Sequence, residues 1–153
     1  MRSPVVLSDL AEKALRRHAI QAQARSLTVS CTIPRGLSIE THAELVGVIV
    51  DNWIANAIEY AAPDTQASIG ATSDGARFTL TVANHAPDLT PEDIEHLFEP
   101  FWRKDAARAN GAHSGLGLSL TQTIARALSF EVRAVLDADT TLRLELSGPL
   151  RSA

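Results

Sequence analysis

The stretch from Thr41 to about Ala61 constrains this chain most, because it is an apolar run interrupted by two asparagines, Asn52 and Asn56. Thr41 followed by Glu44 predicts a capping box and a helix start. Leu45, Val48, Ile49, Trp53, Ala57 and Tyr60 recur at three- and four-residue spacing, the stripe of a helix packed on a core. Val48, Asn52, Asn56 and Tyr60 are successive i, i+4 neighbours and form one ridge. Two carboxamides therefore lie in or beside the apolar stripe, where a buried amide needs partners. They are either amides at the edge of the core, satisfied by backbone or water, or a floor of oxygens for a metal or polar ligand. The segments around this helix decide between the two.

Before it, Pro4 to Leu7 reads as a short strand. Ser8 or Asp9 is the expected cap of a helix running to about Arg25. Leu27 to Ile33 alternates as a strand, Pro34-Arg35-Gly36 is a turn, and Leu37 to Ile39 is a second short strand. After it, Ala67–Thr72 and Arg77–Ala83 alternate in period two around Asp74-Gly75, a hairpin signal. Asn84 to Asp88 reads as a loop. Thr90-Pro91 opens a short helix carrying Ile94, Leu97 and Phe98. Arg103 to Ser114 has no apolar period and is basic, which fits either a disordered surface loop or a lid over an anion. Gly115-Leu116-Gly117 opens a further helix, with Leu118, Leu120, Ile124 and Leu128 inward. Phe130–Leu136 and Thr141–Leu146 are the last strands, with Leu142, Leu144 and Leu146 facing one way.

The expected fold is an α/β (α+β) two-layer sandwich. A mixed, largely antiparallel sheet of about five strands carries about three helices on one face. The 153 residues fit one domain. A net charge of −4 argues against general nucleic-acid or anionic-membrane binding. No apolar run reaches bilayer length, and the N-terminus has no signal-peptide pattern. The lone Cys31 excludes an internal disulfide, and the five histidines make no zinc-ligand spacing.

A Gly-X-Gly at a helix start is a weak signal alone. The ordered set is specific: Asn52-x-x-x-Asn56-Ala57-x-x-Tyr60, the loop after a strand at Asn84, Leu97-Phe98-Glu99-Pro100-Phe101-Trp102-Arg103, a basic segment, then Ser114-Gly115-Leu116-Gly117-Leu118. In this order the chain resembles the catalytic and ATP-binding (HATPase) domain of two-component sensor histidine kinases, in the Bergerat-fold superfamily. The likeness runs from about Pro4 to Pro149.

The resemblance implies Mg²⁺ and ATP as cofactors. It places the Mg²⁺ on Asn56 with Asn52 beside it, and Tyr60 against the adenine or ribose. It sets Asn84 on the adenine amino group, with Ala86 and Leu89 in the same loop. Phe98 and Phe101 seat the hinge of an ATP lid spanning 102–114, and Arg103, Lys104 and Arg108 reach phosphates from it. The backbone around Ser114, Gly115, Leu116, Gly117 and Leu118 cradles the phosphates, and Thr140 supports the adenine site. It further implies a cytoplasmic piece of an inner-membrane sensor kinase. The phospho-acceptor and dimerisation domain of the parent and a cognate response regulator are the implied partners. Neither His18 nor His42 has the flanks of the family's acceptor helix. No residue here stands as a general base, since Asn52 occupies the place of the related hydrolases' glutamate and Asp51 is rotated away by about 100°.

The chain departs from the family pattern at five positions. Asn84, Ala86 and Asp88 replace an aspartate and two glycines. Glu59 stands where a lysine is frequent, and His113 replaces a glycine. Asn84 still offers an acceptor oxygen and donor hydrogens to adenine. Two rival readings share this fold: a serine kinase of the anti-sigma-factor type, and a degenerate nucleotide-sensing or interaction module without kinase activity.

Overall fold

The computed structural model describes residues 1–102 and 117–151. Strand β1 (Ser3–Val6) pairs antiparallel with β3 (Ser38–Thr41) as a small separate sheet. The main sheet has five strands in the order β2-β4-β5-β7-β6. These are β2 (Thr28–Thr32), β4 (Gln66–Ser73), β5 (Arg77–His85), β6 (Glu131–Leu136) and β7 (Thr141–Pro149). Only β2–β4 is parallel. A parallel pair needs a long crossover, and here it contains helix α3 (Ala43–Tyr60). Helices α1 (Leu7–Arg17) and α5 (Gly117–Ala127) both pack against α3, and the three helices lie on one face of the sheet. The mixed sheet with one helical layer is the fold expected from the sequence.

Alternation sets which strand face is covered. Phe78, Leu80, Val82 and Asn84 of β5 are buried, as are Leu142, Leu144 and Leu146 of β7. Phe78 meets Phe130 edge-to-face at 5.1 Å. Gly148 lies directly beneath Phe130, and a Cβ there would collide with the ring. The β4–β5 hairpin closes as expected. Asp74 Oδ1 accepts from the Ala76 and Arg77 amides at 2.9 and 2.8 Å, which holds its carboxyl below the usual range. Gly75 takes φ +94°, which glycine adopts without strain.

Several local expectations change. The first helix is two, α1 and α2 (Ala19–Ala24), broken at His18, whose ring meets Asp51 Oδ1 at 3.0 Å. Neither Ser8 nor Asp9 caps it, because α1 starts directly from β1 at Leu7, whose amide bonds the Leu37 carbonyl. The Thr41–Glu44 capping box does not form, since Thr41 is buried as the last residue of β3 and His42 takes the cap position. The expected α3 stripe is displaced around the axis. Val46, Ile49, Val50, Trp53, Ile54, Ala57 and Ile58 are buried, whereas Leu45, Val48 and Tyr60 are exposed. Leu120 is exposed on α5, and Thr121 and Ala125 are buried instead. Asn84 and His85 belong to β5 and not to the loop after it. The short helix α4 (Pro91–Ile94) has the expected start: Thr90 and Asp93 form a complete capping box, with Pro91 in the first turn.

Candidate functional site

The displaced stripe puts Asn52 and Asn56 beside the core and not inside it. Both are half-buried, on the ridge that runs from Val48 to Tyr60. Their place follows from the seven buried residues on the other side of α3, which fix its rotation against the sheet.

Backbone bonds gather the other candidates near the C-terminal end of this ridge. The Ala62 amide, just past α3, donates to the His85 carbonyl at 3.2 Å. The Ala86 amide donates to the Thr140 carbonyl at 2.8 Å, and the Leu89 amide to the Ala86 carbonyl at 3.1 Å. The end of α3, the end of β5 and the β6–β7 turn therefore meet. Asn84 is 4% exposed, shares the helix-covered face of β5, and donates through Nδ2 to the His85 carbonyl at 3.3 Å. Thr140 holds φ +63°, an uncommon conformation for a β-branched residue, and its hydroxyl lies 3.4 Å from His85 Nδ1. Arg25 clamps the same end of α3 from outside by donating to the Ala61 carbonyl. Such a cation complements the negative end of the helix dipole.

The start of α5 closes the ridge further along. Gly117 comes so near Asn52 that a Cβ on it would sit 2.5 Å from Asn52 Oδ1. Beneath this approach, Trp53 Nε1 donates to Thr121 Oγ1 at 2.9 Å, and Thr121 donates to the Leu118 carbonyl at 2.8 Å. Nothing in the sequence reading included Trp53 or Thr121 in the site. The available signal was the i, i+4 series Gly117, Thr121, Ala125, a row of small residues that permits close helix approach.

Asn52, Asn56 and Tyr60 thus share one ridge of α3; Gly117, followed by Leu118, lies against Asn52; and backbone bonds join the end of α3 at Ala62 to His85, next to Asn84, and Ala86 to Thr140. Phe98 and Leu89 are half-buried and pack against the core. Phe101 is 70% exposed at φ +68° and is not a core aromatic. Arg103, Lys104, Arg108, Ser114, Gly115 and Leu116 lie outside the described residues. Asp51 belongs to a different neighbourhood. Its Oδ1 accepts from Arg17 at 2.6 Å and meets His18, which commits the carboxylate to α1 and away from the asparagine ridge. Next to the 103–116 segment, His96 bonds Glu99 at 2.9 Å and stacks on Trp102 at 6.2 Å. The Glu99 carboxylate raises the His96 pKa above its ordinary value, first through this hydrogen bond and then through its charge.

Residues 41–149 match the model of the histidine kinase-, DNA gyrase B- and HSP90-like ATPase family. Among curated proteins, the sensor-like histidine kinase SenX3 of Mycobacterium tuberculosis is 30% identical over 122 residues, covering 79% of this chain and 30% of SenX3. The sensor protein RstB of Escherichia coli K12 is 32% identical over 133 residues, covering 86% of this chain and 30% of RstB. The chain therefore spans about a third or less of these relatives. Among solved structures, the catalytic domain of histidine kinase ThkA superposes with a TM-score of 0.84 at 16% identity, covering 100% of this chain and 99% of that one. Histidine kinase AdeS of Acinetobacter baumannii gives 0.80 at 17% identity, covering 98% of this chain and 68% of that one. At these identities the structures share the fold. With the family model matched across Thr41 to Pro149, the chain belongs to the histidine kinase-, DNA gyrase B- and HSP90-like ATPase family, and its sequence is similar to part of the sensor proteins SenX3 and RstB.

Proposed function

We propose that this chain binds Mg-ATP along the Asn52–Asn56 ridge and donates the γ-phosphate to a histidine on a separate acceptor and dimerisation domain of a longer sensor kinase. The observation that carries the proposal is the convergence of the ridge with Asn84 and with the start of α5 at Gly117. Family membership supplies the nucleotide-binding context. The relatives' names supply the sensor-kinase context, and a cognate response regulator is the proposed downstream partner.

The donor set fits the cation. Among the described residues no group of three His, Cys, Asp or Glu is arranged to hold a metal. The oxygens on offer are neutral carboxamides, Asn56 first and Asn52 beside it. They suit Mg²⁺, a hard ion that keeps waters and takes phosphate oxygens as further ligands. When bound, the ion neutralises charge on the transferred phosphoryl group.

The remaining roles belong to the protein. Asn84, buried at the end of β5, offers an acceptor to the adenine amino group. Tyr60 flanks the base or ribose, and Thr140 braces the strand end through the Ala86 amide. Amides at the start of α5 meet anionic phosphates, where the helix dipole favours negative charge. Arg103, Lys104, Arg108, Ser114, Gly115 and Leu116 are assigned to the phosphates, within a lid over 102–114, on the family resemblance alone. No carboxylate among the described residues stands on the ridge as a water-activating base in the place of Asn52. Transfer to a supplied acceptor is therefore favoured over hydrolysis, with the base coming from the acceptor domain.

Calorimetric titration with a non-hydrolysable ATP analogue, with and without Mg²⁺, tests this. Mg²⁺-enhanced binding that disappears in Asn56→Ala is the expected result. No heat at millimolar nucleotide in the presence of the acceptor domain overturns the proposal and favours an interaction module.

A further inference from the structure

Trp53 and Thr121 are both 0% exposed and carry a continuous polar relay between α3 and α5. The indole N–H donates to the threonine hydroxyl at 2.9 Å, and the hydroxyl donates to the Leu118 carbonyl in the first turn of α5 at 2.8 Å. Thr121 lies one turn beyond Gly117 on the same face of α5, and Trp53 directly follows Asn52 on α3. The two pairs therefore form consecutive contacts along one seam: Gly117 on Asn52, then Thr121 on Trp53. We infer that Trp53 and Thr121 act as positioning residues, a hydrogen-bonded bolt that fixes the rotation and register of the first turn of α5 against Asn52.

The physical argument is directional. A seam of small residues lets two helices approach closely, but dispersion between them varies weakly with a small rotation or slide. A hydrogen bond weakens steeply as it bends or lengthens. The buried indole N–H is costly to leave without an acceptor, so the seam has one favoured register. That register is the one in which the Gly117 backbone meets the Asn52 amide tip. Because Thr121 also binds Leu118, the bolt reaches the backbone of the turn itself. The effect on nucleotide rests on the reading above, in which Asn52 and the start of α5 hold the metal and phosphates. The bolt touches neither, and acts only through where they are held.

Three variants test it: Thr121→Val, which keeps shape and removes both bonds; Trp53→Phe, which removes the donor together with part of the ring volume; and Thr121→Ser, which keeps the hydroxyl. Two readouts are taken on each. Hydrogen exchange follows the amides from Thr121 to Ile124, which bond back to the carbonyls of the first turn of α5, and titration with the ATP analogue and Mg²⁺ gives affinity. The expected result is faster exchange at those amides and about tenfold weaker nucleotide binding in the Val and Phe variants, the size of one lost hydrogen bond. Thr121→Ser should restore both. The inference is overturned if the Val and Phe variants bind within about twofold of the parent while exchange at those amides is faster, since one lost bond is worth more than that. It is equally overturned if Thr121→Ser is as impaired as Thr121→Val, since the retained hydroxyl would then make no difference. Should Thr121→Val fail to fold, Trp53→Phe decides, because it leaves α5 unaltered. If the parent binds no nucleotide even with the acceptor domain present, the proposed function fails. Exchange alone then judges the bolt, which is overturned if those amides are unchanged.

Discussion

The two sides of α3 are built from the same eighteen-residue helix and do different work. One side buries Val46, Ile49, Val50, Trp53, Ile54, Ala57 and Ile58 against the sheet and the flanking helices. The other presents Val48, Asn52, Asn56 and Tyr60, none of them fully buried. Removing apolar volume from the first side costs stability wherever it is done. The second side is only partly buried, so packing constrains its residue types less. The two asparagines therefore mark where the core ends.

The sharpest way to break this contrast is to exchange the costs. Ile49→Ala should lose about 2–5 kcal/mol of folding free energy in a urea titration, with any nucleotide affinity of the surviving folded fraction retained. A loss below about 1 kcal/mol would mean that the buried side is not the core it is taken for. On the open side, Asn56→Ala should leave stability within about 0.5 kcal/mol of the parent and abolish the Mg²⁺-dependent part of nucleotide binding. A large fall in melting temperature would place Asn56 in the core instead. Gly117→Ala tests the rim. The new methyl would meet the far end of Asn52, which can swing aside, so circular dichroism should be unchanged and nucleotide affinity reduced. Unaltered affinity would separate Asn52 from the site.

Two smaller effects lie away from α3 and serve as controls. Thr90→Ala removes the capping box of α4 and should cost about 1 kcal/mol, with nucleotide binding untouched. His96 should titrate above the ordinary imidazole range, because Glu99 favours its charged form. The folded pKa is the higher one. The stabilisation is therefore fully present below the unfolded imidazole pKa, and it fades as pH rises through the folded value. Nuclear magnetic resonance of His96 should show its midpoint falling in Glu99→Gln. A midpoint unmoved by that substitution would assign the shift to another cause.

Much of this was legible in the residues because the signals were local. Asp74-Gly75 needs no distant partner to turn a hairpin, Thr90 with Asp93 and Pro91 caps a helix within one turn, and period-two alternation told the covered face of β7 from the other. The helix α3 itself was legible, but its rotation was not. With Leu45, Val46, Val48, Ile49 and Val50 close together, apolar residues surround its first turns and several stripes fit equally well. The asparagines were the better guide, because a polar ridge on an apolar helix points away from the core. The capping box at Thr41 failed for a related reason: its hydroxyl-bearing residue was needed by a strand, and tertiary pairing overrode a local preference. Asn84 was misplaced by one element because Asn84-His85-Ala86-Pro87 has loop composition, while β7 on one side and β4 on the other hold it in the ladder.

By itself the sequence determined most of the elements and their order, the mixed five-stranded sheet with its helical layer, and the ATPase family to which the chain belongs, since these follow from periodicity, turn chemistry and motif order along the chain. Only the tertiary structure decided which side of α3 faces the sheet, that β2 joins β4 in parallel, that His18 breaks the first helix against Asp51, and that Trp53 reaches Thr121. Each of these depends on which surfaces meet across many residues of chain. Such a choice is made by the combined burial of the whole core and by hydrogen bonds with exact partners, and no local window of sequence contains it.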